Sequence, residues 1–254
     1  SVGTKVHAWG SGTSPVLYED LVIVNASVES GALVALDQAT GRERWRAGGM
    51  DSSWNTPHLV KTAQGQHELA VTVKKWILGF DPRTGRELWR CAAIDDYICP
   101  SLVSHEGVLY ALGARASQAV AVRSGGRGDV TSTHKLWQVD VGANVCSPVV
   151  HDGHLYWVSD RNRTAYCLRL ADGSLVYSQS VASQPYASAL LAEGRLYVVT
   201  RNGGTLVLAA KPQFEQLALN KLADRSTFNA SAIPCAGLLI LRSDENLYAL
   251  KKSN

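Results

Sequence analysis

Apolar and polar residues alternate along this chain in short runs. Leu21 to Val24, Leu69 to Val73, Val108 to Leu112, Ala119 to Val122, Leu155 to Ser159, Leu196 to Thr200, Thr205 to Ala209 and Leu238 to Leu241 are rich in aliphatic and β-branched side chains. Gly, Asp, Asn and Ser bound each run. Runs of this length, composition and punctuation predict β-strands. No stretch carries the 3.6-residue apolar period, so no helix competes. The strands group by fours. A first strand follows a Ser-Pro or similar step, an aliphatic second strand follows, and a hairpin closes the unit. The predicted units span residues 14–46, 54–90, 99–139, 146–180, 186–223 and 228–251. The last holds three predicted strands.

The hairpin has its own recurring pattern. Ala35 to Trp45 reads Ala-Leu-Asp-Gln-Ala-Thr-Gly-Arg-Glu-Arg-Trp, and Gly79 to Trp89 repeats it as Gly-Phe-Asp-Pro-Arg-Thr-Gly-Arg-Glu-Leu-Trp. The Asp and Thr-Gly residues supply turn chemistry, a short side chain that bonds nearby backbone and a glycine free to take positive φ. The tryptophan can bury about 150–250 Å², which is roughly 4–6 kcal/mol by area as an upper figure. In the third unit the turn is expanded to Ser124–His134 before Trp137. In the fourth the pattern runs Cys167 to Tyr177, and in the fifth Leu219 falls at the predicted docking position. Trp45, Trp89, Trp137, Tyr177 and Leu219 are spaced 44, 48, 40 and 42 residues apart, the period of a four-stranded blade.

At these residues the chain resembles the tryptophan-docking repeat, A-x-D-x-x-T-G-x-x-x-W, of the quinoprotein-like (PQQ-type) β-propellers. The first copy matches at every fixed position and the second departs only at Gly79. The resemblance covers nearly the whole chain. It implies an all-β, single-domain propeller over residues 1–254, with six recognisable four-stranded blades, the last incomplete. In repeat type the chain is similar to the BamB-like lipoprotein propellers of outer-membrane assembly and to PQQ-like repeat proteins of many bacteria. That likeness implies a non-catalytic binding or scaffolding module, periplasmic or exported; the aromatics, amides and arginines at the channel mouth suit a protein loop or a small polar, anionic or sugar-like ligand as its partner.

The same repeat also occurs in quinone (PQQ)-dependent alcohol and sugar dehydrogenases, the alternative reading. In that family the quinone typically lies between a tryptophan and a ring closed by adjacent cysteines, beside a calcium held by acids and amides. The cysteines here are Cys91, Cys99, Cys146, Cys167 and Cys235, with no adjacent pair, and Asp37, Asp81, Asp152 and Asp172 fall in turns. The expectation is no cofactor, no metal and buried thiols, with quinone and calcium only under the alternative. The sequence leaves room for a Cys91–Cys99 bridge across one loop but gives it no support.

Composition narrows the function classes. Charged residues are 19% of the 254, and the net charge of +3 comes without a basic run, which gives nucleic-acid binding no support. No apolar run approaches bilayer length. The Gly125–Gly128 stretch follows no strand-to-helix pattern, so an expanded turn is expected rather than a phosphate cradle. Arg127-Gly128-Asp129 reads as a chance tripeptide, and the glycosylation patterns at Asn25, Asn162 and Asn229 read as polar turns. The histidines do not cluster, and there is no G-x-S-x-G elbow.

In a propeller the loop leading into the first strand and the loop after the second strand open on one face. The first set gives Trp9, Trp54, Asn55, Tyr97, Asn144, Tyr186, Phe228 and Asn229; the second gives Asn25, Lys74, Arg161, Arg201 and Arg242. The candidate ligand-facing residues are Trp54, Asn55, Asn144, Tyr186, Asn229, Arg161, Arg201 and Arg242. The opposing reading has the aromatics capping blade ends and the arginines pairing with Asp160 and Asp244. Finally, Pro57, Pro100 and Pro148 each follow a docking aromatic by 11 or 12 residues. Counting back from Pro15 lands on Gly3 or Thr4, and a docking strand ending there would begin before Ser1, so the chain is expected to be the C-terminal part of a longer propeller, with open edges inviting edge-to-edge self-association. The competing reading makes Thr4–Trp9 a clasp strand for blade six.

Overall fold

A computed structural model describes residues 2–113, 115 and 117–251 of the chain. It forms two compact units, residues 1–142 and 143–254. The expected all-β propeller architecture is what forms. Unit one holds blade one (Val16–Tyr18, Leu21–Ala26, Ala32–Asp37, Glu43–Gly48), blade two (His58–Lys61, His67–Val73, Trp76–Phe80, Glu87–Ala92) and blade three (Val103–His105, Val108–Gly113, Gln118–Arg123, Lys135–Val139). Unit two holds blade four (Val149–His151, His154–Ser159, Thr164–Arg169, Leu175–Ser180), blade five (Leu190–Ala192, Arg195–Thr200, Gly204–Ala209, Gln216–Asn220) and a three-stranded blade six (Ile233–Cys235, Leu238–Arg242, Leu247–Lys251). Residues 4–9, the clasp of the competing reading, form no strand. Two four-residue helices, Ser27–Ser30 and Thr131–His134, sit in loops and are too short to leave a periodic signal.

One row of residues crosses each blade. In blade one it runs Val16, Ile23, Ala35, Trp45, and immediately afterwards the ladder between third and fourth strands slips by one residue. The same row and slip recur as His58, Ala70, Gly79, Trp89; Val103, Tyr110, Ala121, Trp137; and Val149, Tyr156, Cys167, Tyr177. A bulge at a fixed place turns the outer strand so that the bulky residue leaves the sheet at one height. In blade five the row ends on Ala218, opposite Val207. Leu219 is one residue past it and exposed, so the expected docking role of Leu219 is corrected.

Trp45 shows what the row accomplishes. Its indole N–H donates to the Pro82 carbonyl at 3.1 Å, in the hairpin turn of blade two, and its ring lies against Gly85 of the same turn. A Cβ at Gly85 would sit 2.4 Å from the ring, and the residue has φ +70°, so the Thr-Gly turn is a socket for the neighbouring tryptophan. In unit two Tyr177 packs edge-on against Phe214, 5.7 Å away, in the corresponding turn of blade five. Trp137 is buried and lies 5.9 Å from Tyr110.

Trp89 meets a different receiver because the Thr-Gly turn of blade three is replaced by the 124–134 segment. Its indole donates to Glu68 at 2.7 Å, and the same carboxylate accepts from the Gly125 amide and the Arg127 guanidinium, each at 3.0 Å. Glu68 is 1% exposed, and these three donors are what make a buried carboxylate tolerable. The glycine-rich stretch thus cradles the chain's own anion. The segment is more than a long turn: Gly128–Asp129 pairs in parallel with blade two's outer strand and gives that sheet a fifth strand. Against its own sheet the Trp89 ring is so close to Gly79 that a Cβ there would lie 2.1 Å away. This explains why the second repeat carries Gly where the first carries Ala.

A second thread joins successive first strands. In unit one the Ser14 amide donates to Thr56 Oγ1 and the Thr56 amide to Ser101 Oγ, both at 3.0 Å. In unit two the Ser147 amide donates to Ser188 Oγ at 2.9 Å and the Ser188 amide to Ser231 Oγ at 3.1 Å. Each residue lies two positions before the row, which gives the Ser-Pro steps a physical role. No Cys91–Cys99 bridge forms; Cys91, Cys146 and Cys167 are buried as expected, while Cys235 is exposed. Burial pushes the Cys167 thiol up to about 11.

These contacts rank three substitutions. Trp89→Ala should lower stability by about 3–5 kcal/mol through cavity formation and the stranded Glu68. Gly79→Ala should cost about 1–3 kcal/mol by overpacking against the indole. Leu219→Ala should stay within about 1 kcal/mol of wild type. Chemical-denaturation midpoints distinguish this order from one in which Leu219 docks.

Candidate functional site

The lead-in loops and the loops after second strands meet within each unit, and the result differs between units. In unit one they build an aromatic cluster. The Trp54 indole donates to the Gly10 carbonyl at 2.9 Å, while Gly10 N–H closes a turn on the His7 carbonyl at 2.8 Å. This turn sets His7 and Trp9 5.0 and 5.2 Å from the Trp54 ring, and Tyr97 lies 5.4 Å from Trp9. Most pairs are edge-on or tilted, the arrangement that ring quadrupoles favour. The Arg115 guanidinium caps the group from the loop after blade three's second strand, 5.2 Å from the Tyr97 ring. Trp9 remains 56% exposed.

Behind the cluster lies a wall of satisfied amides. Asn55 is fully buried; its side-chain nitrogen donates to the Thr72 carbonyl at 2.6 Å, and its oxygen accepts the Thr72 amide at 3.3 Å. Asn25, 2% exposed, donates to Ser53 Oγ and to the Asn55 carbonyl, each at 3.0 Å. Both amides are structural. Asn55 therefore does not face a ligand, and Asn25 lies in a strand rather than in a turn.

In unit two the same loops build a polar cleft. The Arg201 guanidinium lies over the Tyr186 ring at 5.2 Å, and Tyr186 is 42% exposed. Asn144 instead helps to seat Asp160, whose buried carboxylate accepts the Asn144 and Val145 amides at 2.9 and 3.0 Å. Asp160 thus meets backbone here, not the arginine the opposing reading assigned to it. Arg161 is exposed on the hairpin loop of blade four, and Asn229 is exposed in the loop before blade six.

Arg161, Arg201 and Arg242 do not occupy equivalent places, contrary to expectation. Counted from the row residues Tyr156, Tyr197 and Ile240, they stand five, four and two positions on. Arg242 is still within its strand, at the level of Asn25 and Thr72. The register counterpart of Arg161 is Arg115, which sequence inspection passed over. Aligning the loops on the cross-strand row, rather than on the ends of apolar runs, would have selected it. His7 carried no signal beyond its closeness to Trp9.

The sequence profile of the family described as "Outer membrane protein assembly factor BamB" matches residues 2–131 and again 73–254. The chain belongs to this family. The overlap of the two matches is what a repeated unit produces. Among solved structures the fold is similar to BamB from Moraxella catarrhalis, with a TM-score of 0.55 and 13% identity over 94% of this chain and 84% of that one, a likeness of fold. No curated protein matches the chain.

Within this BamB family fold, the residues present do not fit a quinone with its calcium. The five thiols are dispersed over separate strands and loops. Asp37 is engaged by Thr40, Asp81 by the Arg83 amide, Asp172 by the Ser174 amide, and Asp160 as above.

The loop ahead of blade six is held by Asp224, whose carboxylate accepts from the amide and hydroxyl of Ser226, Ser243 Oγ and the Tyr248 hydroxyl at 2.7 Å each, and from Asn246 Nδ2 at 3.1 Å. The Ser243, Ser226 and Tyr248 hydroxyls hold its pKa far below the ordinary 3.8. A depressed carboxylate contributes stability above its unfolded value and loses it as pH falls toward the folded one. Asp224→Asn should therefore melt below wild type by a constant margin at pH 5–7, and the margin should shrink only below about pH 4. A margin independent of pH down to 2 would contradict this assignment; thermal melts across that range decide it.

Proposed function

We propose that the chain is a non-catalytic binding module of the bacterial envelope, which takes a protein partner on the aromatic cluster of unit one. The observation that carries this reading is the packed, half-exposed group of His7, Trp9, Trp54 and Tyr97 with Arg115 at its rim. Trp, Tyr and Arg are the side chains that dominate binding energy at protein interfaces, because they bury much surface with few rotatable bonds. The buried Asn25 and Asn55 network holds the floor under Trp54 rigid, so little ordering accompanies binding. The family description, an outer-membrane assembly factor, supports a protein partner and an exported, periplasmic setting. No helix among the described residues is long and apolar enough to cross a membrane. No cofactor enters this proposal.

The test is a photo-crosslinking amino acid placed at Trp9 and, as a control, at Leu17, which is also exposed. Trp9 should yield one dominant protein adduct that Leu17 does not. With that partner purified, Trp9→Ala and Arg115→Ala should each weaken binding by at least tenfold, about 1.4 kcal/mol. Equal adducts from both positions, or unchanged affinity, would remove the cluster from the interface.

A further inference from the structure

The second unit carries a site of another kind. A cavity of about 360 Å³ is lined by Ser183, Gln184, Arg201, Asn202, Gly203 and Thr227. This is within the range of small-molecule sites, about 300–1,000 Å³. We propose that it binds a small, singly charged, polyhydroxylated anion of the sugar-acid class. The proposal is independent of the aromatic cluster.

The cleft is built rather than incidental. Its walls are tied by backbone: the Arg201 amide donates to the Gln184 carbonyl at 3.0 Å, and the Phe228 amide to the Arg201 carbonyl and the Asp244 amide to the Thr227 carbonyl, both at 2.9 Å. Gly203 approaches Ser183 so closely that a Cβ would fall 1.9 Å from Ser183 Oγ; any side chain there would force the two loops apart. The guanidinium of Arg201 is fixed by its stacking on Tyr186 and carries no carboxylate partner among the described residues. Such a cation is preorganised for a carboxylate.

Charge and hydrogen-bond capacity define the ligand class. Arg201 is the single ionised side chain of the lining. Asp160 has its carboxylate turned into its own loop by the Asn144 and Val145 amides, and Asp244, whose amide closes on the Thr227 carbonyl, makes no ion pair with Arg201. A lone guanidinium balances one negative charge, whereas a phosphate dianion would leave one unmatched. Around it stand neutral groups with free capacity: the Asn202 amide, the Ser183 and Thr227 hydroxyls, and the Gln184 side-chain oxygen, whose nitrogen is held by the Asp160 carbonyl at 2.7 Å. Donors and acceptors in alternation suit hydroxyls, each of which does both. An acidic sugar presents one carboxylate and several hydroxyls on one small ring.

Titration of the isotopically labelled chain with D-glucuronate, D-glucose and inorganic phosphate, followed by amide NMR, tests this. Glucuronate should shift the amides of residues 183–186, 201–203 and 227, saturating at about 1–10 mM, and glucose should need at least tenfold more. Arg201→Gln should abolish the preference for glucuronate over glucose. Asn202→Asp, which adds a negative charge beside Arg201, should weaken glucuronate at least tenfold while leaving glucose nearly unchanged. Both variants should keep a dispersed wild-type-like spectrum outside the cleft. Absence of shifts at 50 mM glucuronate, equal response to glucose, or phosphate binding as tightly as glucuronate would each overturn the assignment.

Discussion

The structure depends on one contact, seen in full at Trp45: a bulky residue leaves its blade at a bulge and seats in the turn of the next. The bulge sets its height, a small residue on the third strand (Ala35, Gly79, Ala121) lies opposite it, and for Trp45 a Thr-Gly turn receives it. None of these parts is useful alone. An indole on an edge strand without a socket would be an exposed apolar liability, and a socket glycine without an indole would be an entropic cost with no return. Their periodic joint occurrence lets each four-stranded sheet, marginal by itself, borrow stability from its neighbour.

The contact also shows how the repeat tolerates change. Where the socket turn is replaced after blade two, Trp89 keeps its burial but exchanges a carbonyl acceptor for the Glu68 carboxylate, and the replacing segment returns two donors to that carboxylate. The same segment covers blade two's outer edge with a parallel strand. Where the bulky residue shrinks to Ala218 in blade five, its sheet keeps the slip in register all the same. Backbone geometry is thus more durable than the side chain that it serves, and sequence motifs fade before the fold does.

That durability explains what could be read from the residues. Strand positions, the seating of Trp45, Trp89 and Tyr177 against a neighbouring blade and the burial of Trp137 were legible because alternation and the Thr-Gly-to-Trp spacing are local signals. The Leu219 assignment failed by one position because a bulge shifts the count and leaves no mark in composition. Arg242 was grouped with Arg161 and Arg201 for the related reason that the ends of apolar runs are not structural landmarks. Asn55 was misplaced because an amide at a loop reads the same whether it faces solvent or closes on the Thr72 backbone. The serine and threonine hydroxyls that join first strands were visible as Ser-Pro steps, but their role needed a partner some forty residues away.

The cross-strand row divides the loop residues by function. Two positions past it on the second strand, polar side chains such as Asn25 and Thr72 are buried, and Asn25 is held on all sides by neighbouring backbone and hydroxyls. Four or five positions past it, Arg115, Arg161, Arg201 and Asn202 have left the ladder and reach solvent. In blades one to five a residue's chance of meeting a partner is therefore set by its count from the row more than by its chemical type, whereas Arg242, two positions on in blade six, is exposed. Blade one makes the point by exception: its one-turn helix folds Val28, five positions on, back into the interior, and that blade contributes no cation to either surface. Blades three, four and five thus each expose one or two positions at this count, and the two units have filled their loops differently, with rings and an arginine in one and with a cation among neutral hydroxyls and amides in the other.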